Sequence, residues 1–171
     1  VAGLTGQLLV ATPALADPNF SRTVVLLVDD DDEGSLGVVL NRPTGLEVAE
    51  LSPALAGVAA APEVVFAGGP VSPEVTVCLA AARAEGLCSW TVLDPAAPPQ
   101  LPGPVRLYQG YAGWGSGQLA AEIGVGAWWV APPLPADLVD PRPAQLWRTV
   151  LRRQPPPRGW VSTLPTDPTL N

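Results

Sequence analysis

A strand-like run, Val105–Tyr108, leads through a glycine-punctuated stretch into a helix-like run, Gln118–Ile123, and this order constrains the fold most. Glycine stands at positions 110, 113, 115 and 117. Without a Cβ, the backbone there can take positive φ or let another group come close. The N–H groups that open a helix lack intrahelical partners. A loop of this kind between strand and helix suits an anion, the edge of a ligand, or a tight packing contact.

Around it the chain reads as short strands. With 22 prolines and 17 glycines in 171 residues, short elements and frequent turns are expected. Gly6–Ala11 reads as a first strand, stopped at Thr12-Pro13. Thr23–Val28 is a continuous β-branched and leucine run, as in a strand covered on both faces. Asp29 to Gly34 is a polar turn and Leu36–Leu40 a returning strand, so 23–40 is expected to be a β-hairpin. A short helix, interrupted by Pro53, is expected within 46–55. Further strands are expected at Val64–Phe66, Val75–Leu79, Ser89–Leu93 and Ala127–Val130, with an irregular proline-rich loop over 94–104.

Ser116 reads as the N-cap of a helix near 117–124. Residues 143–153 form the clearest helix, with Pro143 at its first position. Leu146, Trp147, Val150 and Leu151 share one face, and Arg148, Arg152 and Arg153 lie towards the other. Pro155–Pro157 ends it, and Trp160–Thr163 reads as a last strand before a proline-rich terminus. Strands with two or three helices predict an α+β class, a single compact domain over 1–171 around a mixed sheet, with a tail from about 155.

Composition excludes several chemistries. The chain has no His and no Lys, and its nine Arg face sixteen acids for a net charge of −7. There is thus no Ser-His-Asp triad, no His metal ligand, no P-loop lysine and no Schiff-base lysine. Cys78 and Cys88 are too few for a thiolate zinc site and read as reduced, buried small residues. No metal or organic cofactor is expected. The charge opposes direct nucleic-acid binding, which needs a basic footprint. No run reaches the ~18 apolar residues of a membrane span. The start, Val1–Gln7, has no basic segment before an apolar stretch, so a cytoplasmic protein is expected.

Asp29, Asp31, Glu33 and Gly34 match positions of a helix-loop-helix calcium loop, but Leu40 stands where the closing Glu is required, so the stretch reads as a solvated hairpin turn. Gly113-Trp-Gly-Ser-Gly117 is neither a dinucleotide fingerprint nor a nucleophile elbow, because Gln118 and Trp114 occupy decisive positions. Arg42 closes the hairpin beside Asn41, and its planar fork suits carboxylate or phosphate. Arg22 lies opposite if the hairpin turns at 31–33, and two such arginines repel unless an anion or carboxylate lies between them. The plainer expectation is that each pairs with an acid. Gly68-Gly69-Pro70 reads as a tight turn. Glu122, one helical turn beyond Gln118, shares a face with it. The six tryptophans read as core and edge packing.

Taken in order, Gly6–Pro13, Asp17–Val25, Gly37–Pro43, Gly68–Val71, Gly110–Leu119 and Glu122 resemble the AlgH/YqgE family of bacterial proteins, over roughly residues 3–130. The arginine-only, Ala- and Pro-rich composition and the ending Asp167–Asn171 resemble actinobacterial members. The resemblance implies an α+β domain with a branched, mixed, mostly antiparallel sheet flanked by a few helices. It brings a transcriptional-regulator label, from a link to exopolysaccharide production, but no enzymatic activity. Many members carry His where Asp29–Asp30 and Cys78–Ala80 stand here, so no role resting on those histidines applies.

The expected function is that of a non-enzymatic regulatory or ligand-binding domain, acting through a small anionic ligand or a protein partner. Its expected site combines Arg22, Asn41, Arg42, Gly68, Gly69, Gly113, Trp114, Gly115, Gln118 and Glu122. The alternative is an enzyme on a phosphorylated or carboxylated small molecule, with Arg42 as clamp and Asp17 or Glu122 as acid–base. Direct DNA binding ranks below both.

Overall fold

The hairpin expected at 23–40 forms β2 (Val24–Asp31) and β3 (Gly34–Val39), after a first strand β1 (Leu8–Ala11). The three pair antiparallel, Leu8 opposite Leu26 and Val25 opposite Val39. Both faces are covered, which is why the runs are apolar without alternation. Leu8, Val10, Val24, Leu26, Val38 and Leu40 point into one core. Leu9, Ala11, Val25, Leu27 and Val39 point into another. The computed structural model describes residues 3–84, 87–94 and 103–166. The expected 94–104 loop therefore falls largely outside the described residues, as does the terminus from Asp167.

β4 (Pro43–Glu47) continues into a one-turn helix, α1 (Val48–Leu51), and Pro53 opens a separate 3-10 turn, as its fixed φ and missing N–H predict. β5 (Val64–Ala67) and a long hairpin, β6 (Val71–Ala84) with β7 (Leu87–Leu93), precede β8 (Val105–Gly115). Both hairpin strands run longer than their apolar cores suggested. Cys78 lies opposite Leu93, whereas Cys88 lies opposite Arg83. That register puts the two cysteines beyond the reach of about 7 Å between Cα atoms that a disulfide needs. Cys78 is a free, buried thiol, and burial pushes it up to about 11.

After α2 (Gln118–Gly124), β9 (Trp128–Ala131) returns to pair with β1. The sheet runs β4-β5-β8-β3-β2-β1-β9, with β6 and β7 branching from β8. Phe66 of β5 pairs in parallel with Tyr108, and the other strand pairs are antiparallel. This is the branched, mixed, mostly antiparallel α+β sheet expected. α3 (Leu146–Arg152) covers one core with Leu146, Trp147, Val150 and Leu151, the face read from the sequence. Leu119, Trp114 and Trp128 cover the other.

Three local expectations are corrected. Residues 110–115 are strand, not loop: β8 carries on through the glycines, with Gly113 opposite Leu36 and Gly115 opposite Gly34. Ser116 is not the N-cap; Gly117, at φ 73, takes that place. The Ser116 hydroxyl instead donates to the Asp32 carbonyl at 2.7 Å. Trp160–Thr163 is no strand, because Arg158–Val161 forms a single helical turn, α4. No helix among the described residues is long and apolar enough to cross a membrane.

Candidate functional site

The branch in the sheet explains Gly68, Gly69 and Gly110. β5 meets β8 at residues 108–109 and β3 meets it at 112–115, so two strands share β8 end to end. Gly68 splices them: its carbonyl accepts from Val39 N–H and its N–H donates to the Gln109 carbonyl, both at 2.8 Å. A Cβ at Gly68 would lie 2.3 Å from the Gly110 carbonyl oxygen, and one at Gly69 2.1 Å from the Tyr111 carbonyl carbon. Gly68-Gly69 is therefore more than a chain reversal. It is a close backbone crossing.

That crossing forms a wall of a cleft of ≈ 340 Å³, lined by Pro18, Asn19, Val39, Arg42, Pro43, Ala67, Gly69 and Pro70. Arg42 is held from one side only, its Nη2 donating to the Ser21 carbonyl at 2.8 Å and reaching the Pro18 carbonyl at 3.4 Å. No carboxylate pairs with it among the described residues. Asn41 stands behind it as a brace. Its Oδ1 accepts from Val24 N–H at 3.0 Å and its Nδ2 donates to the Arg22 carbonyl at 2.9 Å, which spends the amide on the hairpin.

Glu122 belongs to a different cluster. Its Oε2 accepts from the indole N–H of Trp114 at 3.0 Å and of Trp128 at 2.8 Å. Its Oε1 accepts from Gln118 Nε2 at 3.0 Å, and Gln118 Oε1 accepts from Gly115 N–H at 3.0 Å. Phe20 completes the group, 5.6 Å from Trp128 at a near-perpendicular 75°, while Trp114 and Trp128 meet at 81°. The expected facing of Gln118 and Glu122 is present, but it tethers α2 to β8 and β9 rather than opening a cleft.

Arg22 goes a third way. Arg22 lies before β2, outside the paired strands, and its guanidinium lies 4.7 Å over the Trp147 ring and donates to the Pro165 carbonyl. The structure thus separates the expected site into three places. Neither Arg22 nor Arg42 pairs with an acid among the described residues; both donate to carbonyls. The acids of the 29–34 stretch serve local structure: Asp31 Oδ1 accepts from Glu33 N–H at 2.8 Å within the turn, and Asp30 Oδ2 from Leu4 N–H at 2.6 Å, which ties the segment before β1 to β2. Asp17 is exposed, its Oδ1 accepting from Asn19 N–H at 2.8 Å.

Arg106 went unremarked in the sequence. It is only 2% exposed and donates to the carbonyls of Ala61 at 2.7 Å, Asp140 at 3.1 Å and Leu138 at 3.3 Å. Its guanidinium stacks 4.4 Å over Phe66. Burial draws it below the ordinary arginine value and drives neighbouring Tyr108 well above the tyrosine range. A lone arginine in the apolar run Val105–Tyr108 was the available signal. Its role is to tie two segments, at Ala61 and at 138–140, to β8.

A small α+β fold with a branched sheet and an arginine-bearing cleft at the branch thus defines the class. The AlgH-like family profile, DUF179, matches residues 8–158. A UPF0301 protein of Streptomyces avermitilis is 50% identical over 187 residues, covering 100% of this chain and 97% of that protein. One from Mycobacterium tuberculosis is 41% identical, covering 97% and 90%. A crystal structure from Corynebacterium diphtheriae superposes with a TM-score of 0.84 at 30% identity, covering 93% of this chain and 91% of that one. The solution structure of the AlgH protein from Pseudomonas aeruginosa gives 0.67 at 29%, covering 97% and 96%. The chain belongs to the AlgH-like family.

Proposed function

We propose that this protein is a non-enzymatic ligand-binding or regulatory domain whose cleft at the sheet branch takes a small anion through Arg42. The carrying observation is the arginine: a fixed guanidinium, held by carbonyls on one side, with no carboxylate opposite it among the described residues. Arginine in that setting recognises carboxylate or phosphate bidentately. Gly69, without a Cβ, also lines the cleft, so an anion can approach the backbone closely there.

Catalysis on such a ligand finds less support. The Glu122 carboxylate is committed to three hydrogen bonds away from the cleft. A net charge of −7 still argues against DNA as the partner. The regulatory role would then pass through a protein partner that reads the liganded state, and we place it in the cytoplasm.

The test is a thermal-melt series against phosphate, nucleotides, phosphorylated metabolites, small carboxylates and divalent metals. A ligand at 100 times its Kd adds about 2.7 kcal/mol of stability. An anion-dependent shift reduced by Arg42→Ala is the expected result. A flat panel, or a shift that Arg42→Ala leaves undiminished, overturns the reading; a flat panel would favour a protein-interaction role alone.

A further inference from the structure

Arg22 precedes β2 and Arg148 lies on α3, yet both side chains end on one short segment near the C-terminus. Arg22 sits at φ 56, in the left-handed region that a branched or long side chain rarely takes. That backbone turns its guanidinium over Trp147 and onto the Pro165 carbonyl. Arg148 donates through Nη1 to the Ser162 carbonyl, and through Nη2 to the Leu164 carbonyl at 2.7 Å and the Thr166 hydroxyl at 3.4 Å. Beside Arg22 opens a second cleft of ≈ 340 Å³, whose lining includes Thr12, Ser21, Arg22, Trp147, Leu164 and Thr166, and Arg148 reaches its edge through its bonds to Leu164 and Thr166.

Among the described residues no acid balances these charges: each acceptor is a neutral oxygen, and no carboxylate pairs with either arginine. Burial, and then the positive charge of Arg148, draw Arg22 below the ordinary arginine value. Like charges that repel one another are relieved by an anion between them. Hydrogen bonds from a guanidinium to an oxyanion are roughly twice as strong as those between neutral groups. The Trp147 face adds a flat apolar floor beneath Arg22.

We propose that this second cleft is an oxyanion site, distinct from the one at Arg42, and that residues 164–166 occupy it through their own oxygens when no oxyanion is bound. A phosphate or carboxylate group takes the Nη donors of Arg22 and Arg148, and the segment lets go. Binding and release are one competition, so apparent affinity scales with the fraction of time the segment is undocked.

Full-length protein titrated with inorganic phosphate at constant ionic strength, followed by backbone amide resonances, tests this. Saturable shifts at Arg22, Trp147, Arg148, residues 162–164 and Thr166 are expected. They vanish in Arg22→Gln and in Arg148→Gln, and weaken in Arg148→Lys, which keeps the charge but not the fork. Pro165→Gly, which frees the released segment, tightens the apparent Kd about two- to fivefold. Arg42→Ala leaves these shifts intact, which separates this site from the one under "Proposed function". A parallel acetate titration assigns the oxyanion: a response to phosphate alone specifies phosphate, and a response to both specifies the shared chemistry. Shifts confined to the Arg42 cleft, shifts at residues 162–164 and Thr166 that persist in both Gln variants, or an unchanged Kd in Pro165→Gly would each overturn the proposal.

Discussion

A methyl group added at Gly69 meets backbone, since its carbon would stand 2.1 Å from the Tyr111 carbonyl carbon. No flexible side chain is there to give way. Gly69→Ala is expected to cost about 1–3 kcal/mol as overpacking, read as a lower urea midpoint at constant m. An unaltered midpoint would mean that the crossing of 68–70 over β8 is loose. Glu122→Gln probes the opposite case, a carboxylate that accepts from two indoles at once. An amide that keeps its oxygen on both indoles turns its NH2 group against the Gln118 NH2 and leaves a donor unpaired, at a cost of about 1–3 kcal/mol. The near-UV dichroism of Trp114 and Trp128 should change with it, and anion-induced melt shifts should not. A variant as stable as the parent but deprived of ligand response would return Glu122 to the site.

At the scale of elements, α3 is the helix whose loss the fold tolerates least. Leu151 is fully buried in the core that α3 covers beside β1. Leu151→Ala should therefore cost about 2–5 kcal/mol, the cavity included. Its exposed neighbour Arg152 sets the control, with Arg152→Ala within about 0.5 kcal/mol. Equal effects from the two would mean that α3 does not pack as described. α4 shows why local propensity misled: Trp160–Thr163 has strand-forming residues. Trp160 N–H instead bonds the Pro157 carbonyl and Ser162 N–H the Gly159 carbonyl, closing turns before any strand could extend. Trp160 remains 69% exposed, so no sheet face holds it.

For the whole molecule, stability should fall on the alkaline side. Cys78 rises from an ordinary 9.0 to about 11 through burial, and Tyr108 rises for the same reason. The unfolded chain ionises these groups at their lower, ordinary values. Stability is thus complete below about pH 9 and is lost as pH climbs through the folded-state value near 11. Melting temperatures measured from neutral pH upward should show this decline, and in Cys78→Ala it should begin later. A flat profile to pH 11 would show that neither group is buried in its neutral form.

The sequence by itself determined the elements whose signal is local. The 23–40 hairpin, the first strand, α3 with its buried stripe and the α+β class were legible because turn residues and hydrophobic period act within a few positions. The ordered motifs also carried the family. Their meeting points depended on tertiary structure. The glycines at 110–115 read as a loop, since no local pattern distinguishes freedom to turn from room for a crossing strand. Only the register of β3, β5 and β8 decides that. Arg22, Arg42 and Glu122 read as one site because the expected hairpin register puts the first two in line. Their side chains part because each follows a non-local partner: Trp147 and Pro165 for Arg22, Ser21 for Arg42, Trp114 and Trp128 for Glu122. Side-chain direction is settled by what packs against it, and those contacts join residues that the sequence places far apart.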